Sequence, residues 1–414
     1  MQATVIIIGA EILLGRVTDT NSGYIARQLD PLGIEVKRIV TVDDNAAQIR
    51  DAVQAALADT SLVITTGGLG PTKDDITKKV LMEIFGGELV FDPDVYTNVE
   101  RIFREKHLCM NHLTHDQALV PTSCRVIQNV YGTAPVMWFE RDGRVLVSLP
   151  GVPHEACSMM RDYVTAEIAR HFTPETAYAH RTLQVTGISE SGLAERIAAW
   201  EDSLPDGFHL AYLPDAPIIK LRIDGSGTDA KALNATIDNL WHQLDDSLGD
   251  LVIDRSERTL PEIVIERLRS KGLTMGTAES CTGGNIAHVI TQVAGCSDVF
   301  NGGIVSYSNE VKINVLAVPA DTISRHGAVS GGTVHAMLDG AKRATGSDCA
   351  VATSGIAGPG GGTPDKPVGT VWIGACVPGL EPLVECHHFP GDRDRVITRA
   401  TRTALLKLLS LLDN

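Results

Sequence analysis

Short apolar runs alternate with helically periodic segments through the first 170 residues of the chain. The runs Thr4–Ile8, Val36–Val42 and Leu62–Thr66 are continuous and rich in β-branched residues, which is typical of strands buried on both faces. The segments between them repeat apolar side chains at helical spacing, and Asn45 stands where an N-cap would begin one helix. These repeated strand–helix–strand units predict a parallel sheet flanked by helices.

The same alternation returns towards the carboxyl terminus. Strands are predicted at Leu273–Thr277 and Cys349–Thr353, with a helix over Gly332–Thr345 between them and a terminal helix from Arg393. This pattern predicts a second α/β domain, and the shorter stretch before it predicts a small α+β unit. The predicted domains are therefore 1–170, 171–257 and 258–414.

Composition narrows the class of protein. The chain has 414 residues, of which 43% are apolar and 21% charged, as in a globular protein with more than one core. No apolar run reaches the roughly 18 residues that a membrane span needs, so we expect no membrane partner. The eight cysteines are scattered and form no C-x-x-C pair. This pattern predicts reduced thiols and a cytoplasmic protein.

The net charge of −15 is unevenly distributed along the chain. Residues 258–414 contain 14 basic and 14 acidic side chains, whereas residues 171–257 contain 6 basic and 15 acidic ones. An acidic surface repels phosphate backbones, so we expect no nucleic-acid partner. The middle unit is the most acidic part, and we interpret it as a spacer or a dimerisation element.

Acidic and glycine-rich loops follow the strands of the first domain. They are residues 9–11, 42–45 and 67–75, and in a parallel sheet such loops line the ligand crevice. Glycine lets backbone N–H groups approach phosphate oxygens, but carboxylates repel phosphate unless a divalent cation lies between them. This reasoning predicts a Mg²⁺- or Mn²⁺-type site built from Glu11, Asp43, Asp44, Asp74 and Asp75. The alternative is that the aspartate pairs only cap the helices that follow.

A serine lies at a strand-to-helix corner of the last domain. Ser280 follows a predicted strand and precedes two glycines, so its hydroxyl is exposed beside the N–H groups of a helix start. This position suits a nucleophile, and it also suits an ordinary N-cap, which is commoner. Lys312 is the candidate base, provided that burial lowers the pKa of its ammonium group. The alternative is that Lys312 is a solvated helix residue.

Several motifs resemble the CinA family of competence/damage-inducible proteins, over the whole chain. In the first domain they are Thr66–Thr77 (TGGLGPTKDDIT), Gly132–Pro135 (GTAP) and Leu149–Glu155 (LPGVPHE). The resemblance implies a MoaB/MogA-like fold that hydrolyses ADP-ribose to AMP and ribose 5-phosphate with a divalent metal of the Mg, Mn or Co type. It implies that the anion is held by Gly67, Gly68, Gly70 and Thr72, with the carboxylates around phosphate and metal.

The last domain resembles bacterial nicotinamide mononucleotide (NMN) deamidases, which are described as Ser/Lys amidohydrolases. The matching motifs are residues 278–284 (AESCTGG), 302–312 (GGIVSYSNEVK) and 354–362 (SGIAGPGGG). The resemblance implies hydrolysis of the NMN carboxamide to nicotinic acid mononucleotide and ammonia, with no cofactor in this domain.

The resemblance also implies individual roles in the deamidase domain. Ser280 is the nucleophile, Lys312 the general base, and Tyr307 an orienting or proton-relay hydroxyl. The substrate is contacted by Ser297, Ser354, Arg393, Thr282 and Gly283. Glu279 either faces the pyridinium ring of the substrate or anchors its own loop, and these two alternatives stay open.

The middle unit resembles a KH-like module, but it lacks the G-x-x-G loop of nucleic-acid-binding KH domains. The resemblance further implies a homodimer. Two other classes of function stay open beside the hydrolase. One is a binding protein for molybdopterin or a related pterin phosphate, and the other is an accessory protein of competence or DNA repair that acts without catalysis.

Overall fold

A computed structural model describes residues 1–72, 75–172 and 177–414 of the chain. The chain divides into two compact units, Met1–Ala179 with Gly225–Thr236, and His180–Asp224 with Ile237–Asn414. The predicted fold class is confirmed, since the chain contains two α/β domains and, between them in sequence, a small α+β module. Within the described ranges, no helix combines the length and the apolar character that a membrane crossing requires.

The N-terminal domain alternates strands and helices. Its strands are β1 Gln2–Ile8, β2 Glu35–Val42, β3 Leu62–Thr66, β4 Leu89–Phe91, β5 Leu119–Pro121, β6 Cys124–Ile127, β7 Val136–Arg141 and β8 Arg144–Leu149. Its helices are α1 Ala10–Leu13, α2 Asn21–Leu29, α3 Ala46–Asp59, α4 Thr77–Phe85, α5 Pro93–Glu105, α6 His112–Asp116, α7 Pro153–Met159 and α8 Thr165–His171. Asn45 caps α3, as its position in the sequence predicts, because its side chain accepts hydrogen bonds from two backbone N–H groups.

The main sheet of this domain has the strand order β2-β1-β3-β8-β7-β6. The first four strands are parallel, as predicted, and apolar side chains pack on both faces of the sheet. β7 and β6 add an antiparallel edge that the apolar pattern did not predict. The β7–β8 turn has positive φ at Asp142 (53°) and Gly143 (72°), which suits a two-residue hairpin turn. The carboxyl ends of the parallel strands therefore meet at one edge.

The middle module contains four strands and two helices within the described residues. They are β9 Ala177–Thr186, α9 Glu190–Glu201, β10 Phe208–Asp215, β11 Ile218–Gly227, α10 Ala230–Leu248 and β12 Val252–Asp254. The sheet order is β10-β11-β9-β12, with β12 antiparallel to β9.

The C-terminal domain has a five-stranded sheet in the order β14-β13-β15-β16-β17. Its strands are β13 Met275–Glu279, β14 Phe300–Val305, β15 Cys349–Gly355, β16 Thr370–Cys376 and β17 Leu383–His388. Its helices are α11 Leu260–Lys271, α12 Asn285–Thr291, α13 Asn309–Asn314, α14 Ala320–His326, α15 Gly331–Thr345 and α16 Arg393–Asp413. β13, β14 and β15 are parallel, and Glu279 pairs with Val305 and Thr353. The residues that follow these three positions are thereby gathered at one edge of the sheet.

Candidate active sites

A cavity of about 420 Å³ opens at the carboxyl ends of the parallel strands in the N-terminal domain. It is lined by residues of the three loops identified in the sequence, including Glu11, Asp44, Gly67, Gly68, Gly70 and Asp75. Thr72 lines a neighbouring hollow of about 310 Å³ beside the same glycine-rich loop. The parallel register explains why loops far apart in the sequence surround a single space.

The glycines of this loop are required by its close packing on β1. Gly67 has φ 112°, and a Cβ there would lie 2.0 Å from the carbonyl oxygen of Ile8. Gly68 has φ 63°, and a Cβ there would lie 2.1 Å from Oγ1 of Thr77. Side chains are excluded at both positions whether or not an anion binds, so the anion-binding role of these glycines stays a prediction.

Two of the carboxylates predicted to bind metal also shape the loops. Asp75 accepts the N–H of Gly70 on Oδ1 at 2.7 Å and the N–H of Thr72 on Oδ2 at 2.9 Å. Asp44 accepts the N–H of Ala10 on Oδ2 at 3.0 Å. Each carboxylate thus fixes the backbone of a cavity wall. The alternative interpretation was that these aspartates cap the helices that follow them. The hydrogen bonds described here go to N–H groups of the loops instead.

The described carboxylates do not form a metal site by themselves. Residues 1–72, 75–172 and 177–414 contain no group of three His, Cys, Asp or Glu side chains placed to hold a metal ion. Asp43 accepts the N–H of Asp44 at 2.9 Å, which uses one of its oxygens in the turn before α3. Asp74 lies outside the described residues. The divalent metal therefore stays a prediction.

Asn21 is a cavity residue to which the sequence motifs assigned no role. Its Nδ2 donates to Oγ1 of Thr66 at 3.0 Å and to the carbonyl of Gly151 at 2.9 Å. Its Oδ1 is buried and accepts no hydrogen bond in the described part of the chain. An acceptor of this kind in a cavity wall suits a hydrogen-bond donor on a ligand. The signal in the sequence was the string Asp19-Thr20-Asn21-Ser22.

In the C-terminal domain, Ser280 and Lys312 lie side by side. Ser280 follows β13, and Lys312 lies on α13, which comes after the neighbouring parallel strand β14. The Nζ atom of Lys312 is 3.1 Å from Oγ of Ser280. The structure thus brings together two residues that are 32 positions apart and that the sequence paired as nucleophile and base.

Lys312 has the environment that a lysine base requires. Its side chain is 1% exposed, and burial lowers its pKa, with a small opposing effect from the Cys281 thiol. Nζ also lies 2.6 Å from the carbonyl oxygen of Ser306 and 3.5 Å from that of Tyr307. A neutral amine has two N–H bonds for these carbonyls and one lone pair for the proton of Ser280. The alternative of a solvated helix lysine is wrong.

Glu279 anchors the loop that carries Ser280. Its carboxylate is 1% exposed and lies at the start of α12. Oε2 accepts the N–H groups of Gly284 and Ile286 at 3.0 Å and the hydroxyl of Thr282 at 2.7 Å, and Oε1 accepts the N–H of Ala287 at 2.8 Å. A carboxylate with these four donors is held inside the protein. This geometry favours the anchoring alternative over contact with a substrate ring.

The residues after Ser280 can contact a substrate through backbone groups rather than through side chains. Thr282 is buried, and its hydroxyl bonds Glu279 and, at 2.8 Å, the hydroxyl of Thr353. Gly283 donates its N–H to the carbonyl of Ser280 at 3.1 Å. Within the described residues the N–H of Thr282 makes no backbone–backbone hydrogen bond, which makes it the candidate donor to an oxyanion. Burial raises the pKa of the Cys281 thiol to about 12, which leaves Cys281 protonated.

Arg393 and Tyr307 form an exposed pair beside this corner. One guanidinium nitrogen of Arg393 donates to the Tyr307 hydroxyl at 2.9 Å, and another donates to the carbonyl of Gly358 at 2.8 Å. Tyr307 is 62% exposed, and its backbone carbonyl faces the Lys312 amine. Burial raises the pKa of the Cys281 thiol next to the serine, and the positive charge of Arg393 opposes a small part of that rise. Both side chains are therefore placed to meet a bound molecule.

Of the two further hydroxyls that the resemblance assigned to substrate, Ser354 lies near the end of β15, at the same sheet edge as Ser280, whereas Ser297 does not lie at that edge. Ser354 is buried, and its Oγ donates to the carbonyl of Ala328 at 2.7 Å, so the fold already uses this hydroxyl. Ser297 lies in the turn before β14, whereas the Ser280 edge adjoins the carboxyl end of that strand. The strand separates the two edges by roughly 16 Å at about 3.3 Å per residue. Ser297 and Ser280 therefore lie at opposite edges of this sheet, and the contact of Ser297 with substrate stays a prediction.

Three family models match the chain. "Probable molybdopterin binding domain" matches residues 4–170, "Damage-inducible protein CinA KH domain" matches residues 180–253, and "CinA C-terminal domain" matches residues 257–412.

Similar proteins cover nearly the whole chain. A CinA-like protein of Cytophaga hutchinsonii is 44% identical over 372 residues, which are 90% of this chain and 88% of the relative. A CinA-like protein of Flavobacterium psychrophilum is 39% identical over 409 residues, 98% of this chain and 97% of the relative.

The solved structure of a competence-damaged protein (CinA) superfamily protein from Klebsiella pneumoniae is 37% identical. It covers 38% of this chain and 99% of its own, with a TM-score of 0.36.

Proposed function

This chain belongs to the CinA family, and from that premise we propose that its C-terminal domain is an amidohydrolase acting on NMN. The products are nicotinic acid mononucleotide and ammonia. The observation that carries the proposal is the buried Lys312 amine 3.1 Å from the Ser280 hydroxyl. The eight free thiols are in keeping with a cytoplasmic location, where the substrate would be met.

In the first half of the proposed reaction, Oγ of Ser280 attacks the carboxamide carbon. The new C–O bond forms while the hydroxyl proton passes to the neutral amine of Lys312. The backbone N–H of Thr282 donates to the oxyanion of the tetrahedral intermediate. The C–N bond then breaks, and the leaving nitrogen takes the proton from Lys312 and departs as ammonia.

In the second half, water attacks the acyl carbon. Lys312 accepts a proton from the water, the bond to Oγ breaks, and Ser280 recovers its proton from Lys312. The base is thereby returned to its neutral form. The positive charge of the pyridinium ring makes the substrate amide more electrophilic than an ordinary amide, so the pair acts on an activated bond.

The substrate phosphate is assigned to Arg393. A guanidinium group binds phosphate through two parallel N–H donors, and Arg393 is held beside the site by Gly358 and Tyr307. The exposed ring of Tyr307 offers a flat surface for the nucleotide. These contacts select a nucleotide over free nicotinamide.

The proposal is tested by ammonia release from NMN. Ser280→Ala and Lys312→Ala should each lower kcat by at least about 10³-fold, because nucleophile and base act as one unit. Exposed residues of α11 supply matched controls, Ser270→Ala and Lys271→Ala, which should keep the wild-type rate. Full activity in Lys312→Ala would contradict the Ser/Lys assignment. Activity should survive a chelator, since no step uses a metal.

A second proposal concerns the N-terminal domain. The 420 Å³ cavity, with its glycine loop and the unpartnered Oδ1 of Asn21, supports the binding of a phosphate-bearing nucleotide. We propose ADP-ribose as the ligand and hydrolysis of its pyrophosphate in the presence of a divalent metal. Incubation with ADP-ribose should yield AMP only when a divalent metal is added, and Asn21→Ala should weaken ADP-ribose binding.

Two other outcomes would replace this second proposal. A fluorescent pterin that co-purifies with the protein would indicate a molybdopterin-type binding domain. An unchanged competence or repair phenotype in cells carrying Ser280→Ala and Asn21→Ala together would indicate an accessory role through protein contacts. The expected homodimer is checked by sedimentation of the intact chain.

A further inference from the structure

A second cavity, of about 650 Å³, lies within the compact unit that contains the deamidase domain. We call it the α12 cavity, after the helix that forms one wall through His288, Val289 and Gln292. Gln184 of β9 and Lys220 of β11 also line it. No residue assigned to the deamidase site lines it in the described part of the chain. Its volume falls within the range of small-molecule sites, about 300–1,000 Å³.

Gln184 presents an acceptor with no donor to satisfy it. Its side chain is 0% exposed, and its Nε2 donates to the carbonyls of Ser256 at 2.9 Å and Arg258 at 2.6 Å. These two bonds fix the orientation of the amide, so Oε1 is the remaining atom. Oε1 is buried and accepts no hydrogen bond within the described ranges. Buried acceptors are nearly always satisfied, so this one calls for a donor from a bound molecule.

Lys220 provides a cation in the same cavity. Its Nζ contacts the carbonyl of Glu257 at 3.4 Å, and no described carboxylate lies within salt-bridge distance of it. The pKa of Glu262, which also lines the cavity, is lowered mainly by the N–H and hydroxyl of Thr259 and less by the charges of Arg258 and Lys220. Both Lys220 and Gln184 reach the segment 256–258, so the cation and the acceptor lie close together.

The other cation of the cavity is already neutralised. Arg402 is paired with Asp215 at 2.5 Å and donates to the carbonyl of Ala216 at 3.1 Å. The remaining lining is mixed, with the apolar side chains of Val289, Val293 and Leu405 beside polar ones that include the Glu262 carboxylate. An anion finds its cationic partner at Lys220, and a flat ring can pack on Val289 and Val293.

We propose that the α12 cavity binds a small aromatic anion that carries an N–H donor. The N–H donates to Oε1 of Gln184, the anionic group pairs with Lys220, and the ring packs on Val289 of α12. Nucleoside monophosphates and aromatic amino acids share this chemistry. The site is independent of the deamidase reaction, because none of its contacts involves Ser280 or Lys312.

The test is hydrogen exchange of the intact chain, measured by mass spectrometry with AMP or tryptophan present. One of these probes should slow exchange in α12 and β11 of the wild-type protein. Lys220→Met and Gln184→Met should each raise the probe concentration needed for that protection at least about tenfold. Lys220→Met loses a charged hydrogen bond to the probe, and Gln184→Met loses a buried one. Ser280→Ala should leave it unchanged, which separates this site from the deamidase site. Lys407→Met, on α16 and paired with Glu385 at 2.6 Å, is the matched control for a lost surface lysine.

Three results would overturn the proposal. Protection by inorganic phosphate alone, equal to that by AMP, would show a simple anion site. Equal protection in wild type and Lys220→Met would show that Lys220 does not contact the anion. Lys220 is partly exposed, so this variant is expected to fold. No protection by either aromatic probe at millimolar concentration would show that the cavity holds only solvent.

Discussion

The substitution Glu279→Gln tests how the nucleophile is held. Glutamine has the shape of glutamate, but one of its two oxygens becomes an NH₂ group that donates instead of accepting. In the wild-type protein each carboxylate oxygen accepts at least one backbone N–H, with Gly284 and Ile286 on Oε2 and Ala287 on Oε1. In either orientation of the glutamine amide, its NH₂ group therefore faces a backbone N–H that has lost its acceptor.

The magnitude follows from the least costly orientation. With NH₂ on the Oε1 side, the N–H of Ala287 loses its acceptor, which costs about 1–3 kcal/mol in a buried place. The three bonds on the other oxygen are also weakened, because they lose the charge of the carboxylate. Together these effects amount to about 2–4 kcal/mol. At about 1.4 kcal/mol for each factor of ten, local opening of the α12 start becomes roughly 30- to 900-fold more frequent.

Two measurements on the same variant check this reasoning. Amide exchange at the start of α12 should accelerate by that factor, and kcat for NMN should fall because Ser280 is no longer held beside Lys312. Glu266→Gln on α11 is the control, since its carboxylate is exposed and pairs only with Arg269 at 3.5 Å. Wild-type exchange together with wild-type kcat would refute the anchoring role. Wild-type exchange with a lowered kcat would instead indicate that Glu279 faces the substrate ring.

Further expectations concern three other residues of the deamidase domain. The rate of NMN hydrolysis should rise with pH and level off below the ordinary lysine pKa of 10.5, because burial lowers the pKa of Lys312 and only the neutral amine is a base. Lys312→Arg should be inactive across the whole pH profile, since a guanidinium stays protonated; residual activity with an unshifted profile would assign the base elsewhere. Arg393→Met should raise KM for NMN by about 10- to 100-fold, the worth of a charged hydrogen bond, while nicotinamide riboside, which lacks the phosphate, should be turned over as by wild type. Ser297→Ala should stay within about twofold of wild type in kcat/KM, and a large loss would restore the substrate contact that the fold argues against.

Much of the fold was predictable because its local signals were strong. The continuous apolar strands β1, β3 and β15 and the cap of α3 by Asn45 lie where the pattern predicts them. The antiparallel strands β6 and β7 were missed, although Asp142-Gly143 is a recognisable hairpin turn. Short edge strands contain few apolar residues in alternation, so their pattern is weak until the neighbouring strand is known.

Some residues of the candidate sites were likewise predicted from the sequence, and others were missed. Ser280 and Lys312 were found from the motifs, and Arg393 from the family resemblance. Asn21 was not found, because the role of an amide side chain depends on the atoms around it, here those of Thr66 and Gly151.

The chemical groups, the order of the elements and the family could be read from the sequence, since composition, periodicity and motifs are local properties. Which groups meet depends on the fold. The parallel register of β13 and β14 brings Lys312 against Ser280 and leaves Ser297 at the far edge of the sheet. Likewise the meaning of Glu279 depended on burial, because a carboxylate that accepts four hydrogen bonds inside the protein anchors a loop. The pKa of Lys312 is a property of the fold for the same reason, since desolvation exists only once the chain has closed around the amine.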